Sequence, residues 1–195
     1  MTDIKLLIFD MDGTLIDSAY LNYYSYSNAF REFNIELDEE YYYKKCFGLH
    51  YKTFVSNILD LNKITEDKDA LIEKIHIKKE EIYLNNLNLL DIHPFIYETI
   101  LSNRGKKKLA LATTASPNGV YGILKAFKLE EAFDLVLTGA DITNKKPHPE
   151  IFFKCMDYFN VSNKETIIFE DSEVGLEAAY GTKAWVMKVE KWVSN

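Results

Sequence analysis

Arginine is almost missing from this sequence. Of 23 Lys+Arg residues, only Arg31 and Arg104 are arginine. Bidentate guanidinium clamps are therefore scarce, and anion binding must lean on lysine and backbone N–H groups. Cysteine is as sparse. Cys46 and Cys155 are too few and too far apart for a disulfide framework or a Cys-rich zinc site. Long apolar runs are absent too. The run near the N-terminus, Leu6-Leu7-Ile8-Phe9, stops at an aspartate, and nothing approaches about 18 apolar residues. No transmembrane helix and no membrane partner are expected. Met1–Lys5 carries no basic segment leading into an apolar stretch. The expectation is a cytoplasmic, reduced, soluble protein. A basic excess is lacking as well: 30 Asp+Glu against 23 Lys+Arg give a formal net charge of −7. This disfavours a nucleic-acid partner, which asks for a basic face. It leaves room for one small phosphate-bearing ligand served by a few local cations.

What is present is a globular composition of 195 residues, 47% hydrophobic and 27% charged. The length suits one domain, or one domain carrying an inserted subdomain. Short apolar runs ending in polar residues recur at Ile4–Phe9, Lys108–Ala112, Asp134–Leu137, Thr166–Phe169 and Ala184–Val189. They read as strands of a parallel sheet buried on both faces. Helical patterns separate the later ones. Ile151, Phe152, Cys155, Met156 and Phe159 form one stripe behind Pro147 and Pro149, and Gly119–Phe127 and Ser172–Gly181 read as two more helices. This alternation predicts an α/β fold with a doubly wound parallel sheet. The stretch between the first two strands breaks the rhythm. Leu21–Phe33, Glu39–Phe47, Tyr51–Leu59 and Glu66–Leu87 all look helical, too much for a loop, and so predict a helical subdomain. An insert at that point is placed to cover the ligand end of an open α/β sheet.

Four signals carry chemistry. The first strand ends Phe9-Asp10-Met11-Asp12-Gly13-Thr14-Leu15. Two carboxylates there are costly unless a cation holds them, and Mg²⁺ is the natural partner for oxygen ligands. An EF-hand is excluded, because Leu15 stands where that loop needs glycine. A turn that merely favours Asp and Gly is the competing reading. Next, Leu109-Ala110-Leu111-Ala112-Thr113-Thr114 ends a strand in hydroxyls, which suits a phosphoryl group or a threonine helix cap. Third, Lys145-Lys146-Pro147-His148-Pro149 sets a lysine just before a helix, either as a point charge for an anion or as surface. Finally, Ile167-Ile168-Phe169-Glu170-Asp171-Ser172 closes a strand with adjacent carboxylates, as ligands or as a helix cap.

Together, in this order and each at a strand end, these residues resemble the four motifs of the haloacid dehalogenase-like hydrolase superfamily. Asp10-Met11-Asp12-Gly13-Thr14 is similar to the first, Thr113 to the second, Lys146 with Pro147-His148-Pro149 to the third, and Glu170-Asp171 to the fourth. The helical cap between the first and second motifs, and the continuation Leu15-Ile16-Asp17-Ser18, resemble the β-phosphoglucomutase and phosphoglycolate phosphatase branch.

The resemblance implies a Rossmann-like core of residues 1–17 and 93–195 and a helical cap of 18–92. It implies Asp10 as a nucleophile forming an aspartyl-phosphate. Mg²⁺ would be held by Asp10, the backbone carbonyl of Asp12, Asp171 and Glu170. Asp12 would serve as general acid and base, Thr113 and the Thr114 N–H as phosphoryl contacts, and Lys146 as a charge partner. Because a halide leaving group needs no proton, Asp12 favours phosphoryl transfer over dehalogenation.

The cap would set substrate choice, with hinges near Ile16–Ser18 and Leu90–Pro94. The segment Phe47-Gly48-Leu49-His50-Tyr51-Lys52 is similar to the branch's substrate loop, so His50 or Lys52 would meet a polar substrate group or else stand at the surface. Eight of the 13 tyrosines lie between Tyr20 and Tyr51, as packing, an aromatic pocket or a partner surface. Two departures stand out: Asn22 replaces a histidine common in the branch's mutases, and Pro94-Phe95 replaces the usual Pro-Gly. The expected function is a monomeric Mg²⁺-dependent phosphatase acting on a small phosphorylated metabolite. A sugar-phosphate mutase and a non-catalytic partner-binding protein are the alternatives.

Overall fold

A computed structural model describes residues 3–64 and 67–192. Glu66, expected to open the fourth helix, and the expected core residues 1, 2 and 193–195 lie outside the described residues. In chain order the elements are β1 (Leu6–Phe9), β2 (Ile16–Asp17), α1 (Ala19–Arg31), α2 (Glu39–Tyr41), α3 (Tyr51–Leu61) and α4 (Lys68–Asn85). There follow β3 (Asp91–Ile92), α5 (Pro94–Asn103), β4 (Lys108–Ala112), α6 (Pro117–Ala126), β5 (Leu135–Leu137), α7 (Glu150–Phe159), β6 (Thr166–Glu170), α8 (Glu173–Gly181) and β7 (Trp185–Lys188). The chain divides into two compact units, Ala19–Leu89 and the residues on either side of it.

In the larger unit the five long strands form one parallel sheet in the order β5-β4-β1-β6-β7. Burial explains the unbroken apolar runs. All four residues of β1 are buried, whereas β7 at the edge exposes Trp185, Met187 and Lys188. One sheet face, with Leu6, Ile8, Ala110, Ala112 and Ile168, packs on Ile151, Phe152, Cys155 and Met156 of α7 and on Ala178 and Ala179 of α8. Alternate residues such as Leu7, Phe9 and Leu111 point to the opposite face and are equally buried. Each such Leu, Ile or Phe contributes about 1.5–3 kcal/mol of transfer free energy.

The helical unit has its own core of Tyr26, Phe30, Tyr42, Phe54, Ile58 and Ile75 among others. Tyr26 meets Phe54 edge-on, with centroids 4.5 Å apart at 88°. Tyr26 and Tyr42 are thus packing residues, while Tyr20 and Tyr43 remain exposed. The helix expected over Glu39–Phe47 is a single α-turn running into a π-helical turn at Tyr42–Cys46. At the crossings between units, β2 pairs antiparallel with β3, Ile16 opposite Ile92 and Asp17 opposite Asp91. Two-residue strands are too short to leave a period-2 pattern, so the sequence showed only a break there. Among the described residues no helix is long and apolar enough to cross a membrane.

The entry to β6 carries an acid-sensitive brace. Ser162 and Glu165 close a capping box over a 3₁₀ turn, and Lys5 reaches Glu165 at 2.5 Å. Lys5, then Ser162, hold the Glu165 carboxyl down at about 2. A carboxyl lowered in the folded state stabilises above its ordinary value of 4.5 and loses that stabilisation as pH falls toward 2. Glu165→Gln should therefore lower the melting temperature at pH 7, with the gap to wild type closing as melts are repeated toward pH 2.

Candidate active site

The strand order explains why distant residues meet. From β1 the chain travels outward through β4 to β5, then crosses back to β6 and β7 on the other side. The carboxyl end of β1 is therefore the switch point of the sheet, where neighbouring connections part and leave a crevice. Asp10 follows β1, Thr113 follows β4 and Asp171 follows β6, so parallel register alone lines them up. The Asp10 N–H donates to the Phe169 carbonyl at 3.0 Å and prolongs the ladder. A tight turn comes next: the Met11 carbonyl accepts from the N–H groups of Leu15 at 2.8 Å and Ile16 at 3.0 Å, with Gly13 at φ +86°. Glycine meets two demands there. It takes the left-handed backbone, and a Cβ would stand 2.1 Å from Asp171 Oδ2.

Lys146 sits at the centre of the charges. Its side chain is 8% exposed, which excludes the surface reading. Its Nζ donates to Asp10 Oδ1 at 2.5 Å, to Glu170 Oε2 at 2.7 Å and to the Ala112 carbonyl at 3.4 Å. The Phe152 ring lies beneath it, 5.0 Å to the centroid. Burial by itself would lower the lysine, but Asp10 and Glu170 overcome it and hold the ammonium above its usual range. Glu170 Oε1 accepts from the Asp171 N–H at 3.2 Å, the Ser172 N–H at 3.2 Å and the Ser172 hydroxyl at 2.9 Å. Gly175 makes room for this carboxylate, since a Cβ there would fall 2.0 Å from Glu170 Cδ. Ser172 is also the N-cap of α8, accepting from the Gly175 N–H at 3.1 Å, so the helix cap falls to Ser172 while Glu170 and Asp171 stand in the carboxylate cluster with Asp10.

The arrangement asks for more positive charge than the protein supplies. Asp10, Glu170 and Asp171 each offer an oxygen within 4.8 Å of the others, around the single ammonium of Lys146. Burial pushes the Asp10 carboxyl well above its ordinary range, with Lys146 opposing and Glu170 reinforcing. Burial, then Glu170, push Asp171 up as well, while the Thr14 hydroxyl, donating at 3.0 Å, opposes. An all-oxygen set with surplus negative charge fits a hard divalent cation such as Mg²⁺.

The remaining expected residues fall into three groups. The Asp12 carboxylate accepts from the Ser18 hydroxyl at 2.5 Å and is not one of the three clustered carboxylates. Thr113 is buried, and its Oγ1 accepts from the Ala115 N–H at 3.1 Å. It does not cap α6, whose N-cap position is Ser116. Thr114 is exposed beside it. His50 and Lys52 belong to the helical unit, where His50 Nδ1 caps α3 by accepting from the Lys52 N–H and Lys52 pairs with Glu73 at 2.8 Å. Sequence reasoning missed Thr14, Phe152 and the carbonyl of Ala112. Thr14 had a signal in its place two residues after Asp12, but its partner lies 157 positions away.

A family model for haloacid dehalogenase-like hydrolases matches residues 7–189. A phosphorylated carbohydrates phosphatase of Thermotoga maritima is 27% identical over 177 residues, 90% of this chain and 80% of that protein. A phosphoglycolate phosphatase of Pasteurella multocida is 28% identical over 185 residues, 92% of this chain and 83% of that one. Among solved structures, that of a candidate β-phosphoglucomutase of Thermotoga maritima has a TM-score of 0.83 at 25% identity, covering 98% of this chain and 88% of the other. The chain therefore belongs to the haloacid dehalogenase-like hydrolase family.

Proposed function

We propose that this phosphatase of the haloacid dehalogenase-like family hydrolyses a small phosphomonoester with Mg²⁺, through an aspartyl-phosphate on Asp10. The observation that carries this reading is the Asp10 carboxylate at the switch point of the sheet, held by Lys146 and clustered with Glu170 and Asp171. Asp10, Asp171 and Glu170 would hold the cation, with the Asp12 carbonyl completing the set. When bound, Mg²⁺ supplies the charge that lets one anion approach another.

The chain's own residues do the rest. A carboxylate oxygen of Asp10 attacks phosphorus, and the bond to the alcohol oxygen breaks. Asp12 gives that oxygen a proton. The resulting carboxylate, steadied by the Ser18 hydroxyl, then takes a proton from the water that cleaves the acyl phosphate and restores Asp10. The Thr113 hydroxyl accepts from Ala115 and so keeps its own proton for a phosphoryl oxygen, next to the Thr114 N–H. Lys146 offsets the charge shared by Asp10 and the transferring group. A substrate role for Lys52 would require it to leave Glu73, and one for His50 would uncap α3.

The names of the relatives support a phosphorylated carbohydrate or carboxylic acid as substrate class. A sugar-phosphate mutase is the second reading, favoured by the likeness to the candidate β-phosphoglucomutase and opposed by Asn22. The test is hydrolysis of an aryl phosphate and of a panel of phosphorylated metabolites. Activity should need Mg²⁺, vanish in excess chelator and return on adding the metal. Full activity in chelator would sink the reading. Turnover that requires a sugar bisphosphate primer and releases no free phosphate would select the mutase.

A further inference from the structure

Lys146 does its work at the end of a loop, so something must hold that loop. Glu150, the first residue of α7, stands four positions beyond it and touches none of the reacting groups described above. Its Oε1 accepts from the Thr143 N–H at 2.9 Å. Its Oε2 accepts from the Asn144 N–H at 2.8 Å and from the Asn144 side-chain amide at 2.9 Å. Lys154, one turn along α7, pairs with Glu150 Oε1 at 3.2 Å and donates to the Asp141 carbonyl at 2.5 Å. Asp141 in turn accepts from the N–H and the hydroxyl of Thr138, both at 2.8 Å, just past β5. The segment from Thr138 to Lys146 is thus tied at successive points to the first turns of α7. The same helix supplies Phe152 beneath the Lys146 amine. The Glu150 side chain is only 15% exposed, and its three N–H donors, those of Thr143 first, draw its carboxyl down to about 2.

We infer that Glu150 is a positioning residue for Lys146: its carboxylate clasps the Thr143–Asn144 turn onto α7 and so fixes where the ammonium meets Asp10 and Glu170. The inference rests on the catalytic reading of Lys146 for its kinetic part and on geometry for the rest. A residue serving only the helix would act differently. An acid at the first position of α7 would stabilise the helix dipole without bonding to Thr143 and Asn144. Glutamine has nearly the same shape, but its NH₂ faces N–H donors, so at least one of them loses its acceptor. Aspartate keeps the charge and both oxygens on a stem one methylene shorter.

The test has an arm that needs no activity. Lysine acetylation of the full-length protein by acetic anhydride, followed by mass spectrometry, reads the protection of each amine. In wild type Lys146 should be strongly protected. In Glu150→Gln its labelling rate should rise about fivefold or more while lysines of the helical unit stay unchanged, and Glu150→Asp should restore most of the protection. On an aryl phosphate, Glu150→Gln should lower kcat by about tenfold to a hundredfold with little change in KM, because a small misplacement is felt in the reacting geometry. In a Lys146→Ala background the same substitution should change kcat by less than about twofold, since its route of action is gone. Unchanged Lys146 labelling in Glu150→Gln overturns the inference, as does an equal loss of kcat in the Lys146→Ala background. If Glu150→Gln does not fold, Lys154→Met, which removes one outer tie, should give a smaller rise in Lys146 labelling, and wild-type labelling there overturns it. A wild-type protein with no phosphatase activity would fell the proposed function, and the labelling arm would still decide the clasp.

Discussion

Asp10→Asn should abolish phosphomonoester hydrolysis, by on the order of 10⁴-fold or more, and leave a protein at least as stable as wild type. The two halves of that result have one cause. An amide oxygen is a poor nucleophile and cannot form the acyl phosphate that water later cleaves. The substitution also removes one of two buried carboxylates that share the Lys146 ammonium at 2.5 and 2.7 Å, leaving Lys146 with Glu170 alone. The burial that pushes the Asp10 carboxyl upward is a cost of keeping it charged, and asparagine does not bear that cost. Single-turnover hydrolysis and differential scanning calorimetry on the same preparation check both halves. Activity within tenfold of wild type would rule out attack by Asp10. A large drop in melting temperature would show that lost folding, not lost chemistry, explained the inactivity.

Lys146→Met should have the opposite stability signature. Methionine fills much of the lysine volume over Phe152 but leaves Asp10 and Glu170 facing one another without their cation. Removing one partner from a buried ion pair costs about 3–5 kcal/mol, and this cluster loses the partner of two carboxylates at once. For a chain of this length that corresponds to a fall in melting temperature of roughly 6–20 °C. In the same variant kcat should fall about 10²–10³-fold, the usual effect of deleting a fixed charge that faces the developing one. Excess Mg²⁺ should raise the melting temperature of the variant more than that of wild type, because the metal supplies charge the lysine no longer does. Calorimetry with and without Mg²⁺ gives this comparison. A variant as stable as wild type in the absence of metal would mean that the carboxylates do not depend on Lys146.

The candidate site was legible in sequence to the extent that its signals are local. Asp10, Lys146, Glu170 and Asp171 each stand beside an apolar run or a proline-marked helix start, and period and punctuation survive in one dimension. Taken by itself, Lys146 read as either a surface amine or an anion partner, and nothing around it in sequence decided which. It is buried over Phe152 among the ends of three strands, β1, β4 and β6, of which β1 ends more than 100 positions away in sequence. Thr113 shows a similar limit: a hydroxyl at a strand end does suggest a turn, but whether it caps a helix or its own turn depends on where the chain bends next.

By itself, the sequence determined the five strands of the main sheet, most of the helices, the inserted helical unit and the identity of the chemical groups, because burial periodicity and turn chemistry act over a few residues. The tertiary structure alone decided the sheet order with β1 at its centre, the pairing of β2 with β3, the sharing of Lys146 between two carboxylates, and the clasp of Glu150 on Thr143 and Asn144. Gly13 shows the reason. It is small because the Asp171 carboxylate, from the far end of the sequence, needs the space, and a contact of that kind exists only once the chain has brought distant segments together.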